Sequence, residues 1–263
     1  MATTESHQEE PQHNEAAVAP LFTDLTRVWE LDGFSPPLYR ASIFYMKPSP
    51  QYDVEKPYFM NIPVDPAWLG MKQTNVSYTR KTVAVADIRG HQHLFSLDVS
   101  GFQLGYLQSE IPYEGFADSD MIVSRFYDEV KSFLMRETGA ADVLPFDFQV
   151  RYCFPRPPSP AIEKWLCDYR TVSDQDRAPT DIIFPDYLGE TYNFWPNSGH
   201  RFYYVDEQKA DEAWLIKCYD SSTMHDPSIA QFAPHVSFPY VSMAGEPRAP
   251  RESIEVRTFV FYG

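Results

Sequence analysis

Three side chains toward the C-terminal end carry the clearest chemistry. His235 sits in Phe232-Ala-Pro-His-Val-Ser-Phe238, and Arg251 follows sixteen residues later in Arg251-Glu-Ser253. An imidazole ligates a metal or moves a proton near neutral pH. A guanidinium grips a carboxylate through two parallel N–H bonds. A hydroxyl two residues further along a strand points to the same side and supports that grip. Taken alone, the pattern reads more simply as a loop histidine and a surface arginine.

Other constellations are absent. No Gly-x-Gly-x-x-Gly or Walker loop offers a phosphate cradle, and no Gly-x-Ser-x-Gly elbow offers a serine nucleophile. Zinc-type Cys/His spacing is missing, and no local signature supports a Cys–His nucleophile. His91-Gln-His93 has ligand-like spacing but falls in a turn, and His7-Gln-Glu9 and His13-Asn-Glu15 fall in the polar N-terminal stretch.

The elements that must position these residues are mostly strands. Arg40–Met46 is rich in aromatic and β-branched residues, and Val76–Ile88 continues as strand, in two pieces, up to an Arg89-Gly90 turn. Leu94–Val99 reads as a further strand. From Val143 onward come short strands punctuated by proline: Phe148–Phe154, Ile182–Phe184, Thr191–Trp195, Arg201–Val205, Ala213–Tyr219 and Ser253–Tyr262. The strongest helix is Met121–Thr138, where Ile122, Phe126, Val130, Phe133 and Leu134 fall on one face. Asp118 to Asp120 cap its start, and Gly139 stops it. Twenty-three prolines argue against a helical bundle and toward a sandwich or barrel.

Bulk properties narrow the function. A net charge of −15 repels phosphate backbones and anionic lipid, so the reading is no nucleic acid and no membrane insertion. Cys153, Cys167 and Cys218 form no paired framework and read as reduced thiols of a cytoplasmic protein, most simply as small core residues. Residues 1–20 read as a disordered acidic tail, and 21–263 as a single domain.

Several stretches resemble the hydroxylase/desaturase family typified by AsaB. They are Tyr39-Arg-Ala-Ser-Ile-Phe-Tyr45, Glu55-Lys-Pro-Tyr58, Arg89-Gly90, Phe95-Ser-Leu-Asp98, Gly101-Phe-Gln-Leu104, Cys167-Asp-Tyr-Arg-Thr-Val172 and Pro179-Thr-Asp181. They continue with Gly189-Glu-Thr-Tyr192, His200-Arg-Phe-Tyr-Tyr204, Lys217-Cys-Tyr-Asp-Ser221, Pro234-His235 and Pro250-Arg-Glu-Ser-Ile-Glu-Val-Arg257. The resemblance spans residues 38 to 263. It implies a mainly β fold with flanking helices (α+β), built on the double-stranded β-helix (jelly-roll, cupin-like) core of the iron/2-oxoglutarate oxygenases. It also implies secondary-metabolite chemistry. In active members a His-x-Asp joins a distal histidine at Fe(II), with Arg-x-Ser on the co-substrate carboxylate. Here no histidine lies between His93 and His200, so the segment that carries His-x-Asp looks deleted.

The resemblance therefore implies a non-oxidative member with no metal and no cofactor, most similar to the hetero-Diels–Alderases of tropolone sesquiterpenoid pathways. Its small-molecule partners would be a tropolone quinone methide precursor and a terpene alkene. The expected catalytic set is His235, Arg251, Lys217, Arg170 and Tyr192, with His235, Arg251 or Lys217 as acid or hydrogen-bond donor. The expected substrate-binding set is His200, Phe184, Trp195, Phe202, Tyr204, Ser253 and Arg257. A homodimer is left open. Two other readings stand: an iron/2-oxoglutarate hydroxylase or desaturase in which an Asp or Glu from elsewhere, such as Asp168 or Asp147, joins His235 and one more ligand, and a metabolite- or partner-binding protein without catalysis.

Overall fold

The computed structural model describes residues 20–24, 34–65, 70–151, 162–239 and 252–263. The expected tail (residues 1–20) lies outside them except for residue 20, and Cys153 and Arg251 lie outside as well. Twelve strands dominate the described residues. Five form one sheet in the order β1 (Leu38–Met46), β3 (Tyr78–Asp87), β9 (Phe202–Tyr204), β6 (Ile162–Cys167) and β11 (His235–Pro239). The remaining strands make three smaller sheets. They are β10 (Glu212–Ile216) with β4 (Phe102–Tyr106), β12 (Ser253–Phe261) with β5 (Asp142–Arg151), and β2 (Tyr58–Met60) with β7 (Arg177–Ile183) and β8 (Leu188–Phe194).

Both faces of the five-stranded sheet are apolar. Strands alternate their side chains, so one face gathers Ala84, Ala86, Leu166 and Tyr203 with Phe95, Phe102 and Val205. The other gathers Ile43, Tyr45, Val83, Val85, Trp165, Phe202 and Tyr204. A sheet buried on both sides has near-continuous hydrophobic strands, and Val83-Ala-Val-Ala86 is one.

The predicted helix is present and runs unbroken from Ser119 to Thr138. It comprises α2 (Ser119–Met121), a π-helical turn (Ile122–Phe126) and α3 (Tyr127–Thr138), after the single turn α1 (Leu97–Ser100). The Asp118 carboxylate accepts from the N–H groups of Asp120 and Met121, and Gly139 closes the helix at φ 69°. Ile122, Phe126 and Val130 pack against Phe148 and Val150 of β5 and Ile254 and Val256 of β12.

Two strand expectations are corrected. Leu94–Val99 is a 3-10 turn (Gln92–Leu94) followed by α1, because the backbone bonds locally, with Ser100 N–H donating to Ser96 C=O. Val76–Ile88 holds one strand, β3, not two, since Tyr78 to Ala86 pair without interruption with Met46 to Leu38. Among the described residues no helix is long and apolar enough to cross a membrane.

Candidate active site

The β5–β12 ladder decides which side chains enter the molecule. Ile254 and Val256 are drawn to the helix by burial, so Ser253 and Glu255 must point the other way. That side faces β6, where the Lys164 ammonium donates to Glu255 Oε1 at 2.8 Å. Arg151 of β5, opposite Ser253 in the ladder, stands 3.7 Å from the same carboxylate. Burial alone would raise the Glu255 carboxyl, but the hydrogen bond and charge of Lys164 outweigh it and hold it below the usual carboxylate range.

His235 completes this wall. It opens β11 opposite Leu166, on the face that Leu166 shares with Lys164 and Asp168. Its approach is fixed by backbone bonds: Cys167 N–H donates to Pro234 C=O at 2.7 Å, and Ala233 N–H to Lys217 C=O at 2.9 Å. His235 keeps open surface although protein packs around much of its ring. Nδ1 lies 3.0 Å from Ala233 C=O. A carbonyl only accepts, so Nδ1 carries the proton and Nε2 presents a lone pair. Burial pushes the imidazole below its ordinary value, which keeps it neutral at pH 7. Among the described residues Nε2 has no hydrogen-bond partner. The Ser253 hydroxyl is likewise buried and finds no partner among them.

The expected residues divide sharply. His235 and Ser253 come together with Lys164 and Glu255. The donor role expected of His235 is corrected to acceptor by its tautomer. Lys217 is not a free acid: its ammonium is bound by Asp98 at 2.8 Å and Asp220 at 2.5 Å, and its side chain is 10% exposed. Arg170 is spent on Asp168, with Nε to Oδ1 at 2.9 Å and Nη2 to Oδ2 at 2.6 Å. His200 is 2% exposed, and both of its ring nitrogens are engaged inside the protein. Its Nδ1 meets Tyr45 Oη at 3.0 Å, and its Nε2 meets Asp176 at 3.2 Å. Phe202 and Tyr204 are core residues of the five-stranded sheet. Arg257 is a surface residue, 69% exposed and paired with Asp147 at 2.8 Å.

Three aromatic candidates keep open surface elsewhere. Phe184 stacks on Tyr187 at 4.2 Å at the β7–β8 hairpin tip. Trp195 meets Tyr52 at 5.8 Å in a recess of about 360 Å³, which Lys56 and Arg177 also line. Tyr192 lies against Phe232 at 5.7 Å, with the Arg177 guanidinium 5.6 Å above each ring.

Lys164 and the inward role of Glu255 escaped the sequence reading. The usable signal was register: β6 and β11 bring Lys164 to the His235 face only once their pairing is known.

The model of the family described as Oxidoreductase/YMDC permease-like domain matches residues 43–165 and 165–261. The chain is 25% identical to hydroxylase/desaturase efuI of Hormonema carpetanum, over 72% of this chain and 86% of that protein. It is 26% identical to hydroxylase/desaturase asaB of Aspergillus flavus, over 69% and 81%. The solved iron and alpha-ketoglutarate-dependent endoperoxidase NvfI superposes with a TM-score of 0.66 at 20% identity, covering 86% of this chain and 98% of NvfI. That likeness establishes a double-stranded β-helix fold, mainly β with flanking helices.

An iron centre of the kind named for NvfI does not fit the described residues around His235. Among the described residues, no three of His, Cys, Asp and Glu stand together as a metal set. The carboxylate whose charge acts on His235, Glu255, is already paired with Lys164, whose positive charge repels a divalent cation.

Proposed function

The chain belongs to the Oxidoreductase/YMDC permease-like domain family as an AsaB-type member, and from that premise we propose that it is a non-oxidative secondary-metabolite cyclase. Its specific reaction is an intermolecular hetero-Diels–Alder addition of a tropolone o-quinone methide to a humulene-type sesquiterpene, giving a dihydropyran. The observation that carries the reading is the neutral His235, which offers an unpartnered Nε2 beside the Lys164–Glu255 pair instead of beside further metal ligands.

The steps need no redox partner. The ring hydroxyl of a hydroxymethyl tropolone gives its proton to His235 Nε2. The C–O bond of the hydroxymethyl arm breaks, with its electron pair leaving on hydroxide. Proton and hydroxide amount to one water lost, and an o-quinone methide remains. Its oxygen and exocyclic carbon then form a C–O and a C–C bond to the terpene alkene, whose π bond is consumed. Holding both partners in near-attack geometry supplies about 7–11 kcal/mol in favourable cases. A lone pair fixed by the Ala233 carbonyl needs no reorganisation when the proton arrives.

The names of the relatives favour a second reading, an iron/2-oxoglutarate hydroxylase or desaturase. One experiment separates the two. Protein purified without chelator is assayed for iron and for succinate release from 2-oxoglutarate, then given a quinone methide precursor with a terpene alkene. Cycloadduct above the uncatalysed background, with neither stoichiometric iron nor succinate, is expected. Stoichiometric iron with succinate and no acceleration of the cycloaddition puts the oxygenase reading first.

A further inference from the structure

A ligand seated against His235 meets an acceptor, the Nε2 lone pair, and a cation, the Lys164 ammonium, on one sheet face. Glu255 uses one of the three ammonium donors, and no other described side chain takes the remaining two. Ser253 adds a buried hydroxyl without a described partner, next to Glu255 on the same face of β12. A buried polar atom left unsatisfied destabilises the fold, and a bound ligand oxygen recovers that loss. This face therefore reads adjacent groups of opposite hydrogen-bonding sense, an O–H toward Nε2 and an oxygen acceptor toward Nζ and Ser253 Oγ.

We infer that Lys164, His235 and Ser253 form a binding site for a vinylogous acid, a hydroxyl conjugated to a neighbouring carbonyl as in a tropolone, and hold it as its enolate. The inference rests on the cyclase reading for the choice of substrate class and assigns Lys164 as the enolate-binding residue. The ligand O–H bond breaks and the proton moves to Nε2. The lone pair stays on the oxygen, where Lys164 faces it. Glu255 is the positioning residue: it aims the ammonium and balances its charge while the site is empty of ligand. Such a site prefers an acidic enol over a plain alcohol or a terpene hydrocarbon, because neither offers both groups.

Parent tropolone is the probe, since its neutral and ionised forms absorb at different wavelengths. It is titrated into the full chain at a pH below its own pKa. The bound probe is expected to show the ionised spectrum. Lys164→Met alone strands Glu255 without its cation, so the charge-balanced variant Lys164→Met/Glu255→Gln is measured with it, each after a melting check. A folded double variant is expected to bind tropolone about 10- to 100-fold more weakly, the scale of a lost hydrogen bond to a charged group. Ser253→Ala is expected to lose about 2- to 10-fold. A bound probe that keeps the neutral spectrum, no binding by the wild type, or unchanged affinity in the folded double variant overturns the inference. Tropolonate binding by a protein that turns out to need iron upholds this site and removes the non-oxidative reading. Cycloaddition without tropolonate binding does the reverse.

Discussion

His235 is the residue on which the chemistry turns, and its state is set by two neighbours. The Ala233 carbonyl takes the Nδ1 proton, and burial disfavours a second one. A general base must be unprotonated to act, so a depressed imidazole stays active at lower pH than an ordinary histidine. The expected outcome is a kcat/KM for quinone methide formation that is flat from pH 8 to below about 6.5, the ordinary histidine value, and falls only at lower pH. His235→Leu is expected to lower kcat/KM by roughly 10²–10⁴, the usual worth of general acid–base catalysis. Because the ring keeps open surface, its melting temperature should stay close to that of the wild type. A variant with unchanged cycloadduct yield takes His235 out of the reaction. What the spacing offered was His235 and Ser253, which open β11 and β12. What was not legible is which charges are already spoken for. Lys217, Arg170 and His200 look like chemistry in a one-dimensional string, yet each is consumed by a partner that only folding supplies: Asp98 and Asp220, Asp168, and Tyr45 with Asp176.

At the scale of elements, His235 is carried by a strap. Residues 230–234 cross α1 before β11 begins, held by Ala230 N–H on Asp98 C=O and Ala233 N–H on Lys217 C=O. Gly101 lies beneath it at φ 82°, and a Cβ there would collide with the Phe232 carbonyl. Gly101→Ala therefore pairs a left-handed backbone, about 1–2 kcal/mol for an L-residue, with a steric clash. It is expected to lower the melting temperature and to weaken tropolone binding together. Gly105→Ala, on β4, would bring its Cβ to 2.8 Å from the Phe133 ring and 3.0 Å from Leu215, neither of which belongs to the His235 wall. It should cost roughly 1–3 kcal/mol of stability while the folded fraction binds tropolone normally. Equal loss of binding per folded molecule in both variants would show that the strap has no special role. The long helix was legible because its period, its Asp118 cap and its Gly139 stop agree. Most strands from β5 onward were legible through β-branched and aromatic runs between prolines. The Phe95-Ser-Leu-Asp98 stretch was misread because a single helical turn is too short for a 3.6-residue period to show, so its alternation passed for a strand. Strand β4 was missed for a different reason: Gly105 interrupts its apolar pattern at the point where Phe133 packs.

For the whole molecule, two electrostatic effects oppose each other as pH falls. The net charge of −15 repels itself, and protonation of carboxylates relieves that strain. Against it stands His200, buried between Tyr45 and Asp176, whose imidazole burial holds below its ordinary value despite the adjacent Asp176 carboxylate. The unfolded chain binds that proton first. The stability contributed by His200 is therefore complete above about pH 6.5 and is lost as pH falls from there toward the folded value. His235 adds a loss of the same sign. The depressed carboxyls of Glu212, Asp220 and Glu255 act lower, since their contribution fades only as pH falls below about 4. Salt separates the two effects: at 1 M the screening length is about 3 Å, so surface repulsion is screened while the buried histidine is little affected. In high salt the melting temperature should drop steadily from pH 7.5 to 5.5, and in low salt the drop should be shallower. His200→Gln is expected to be less stable at pH 7.5 by about 1–3 kcal/mol, having lost one of two buried hydrogen bonds, but to have a flatter profile over the same range. An equally steep fall in the glutamine variant would move the acid sensitivity from His200 to other groups, with His235 the first to test by the same substitution.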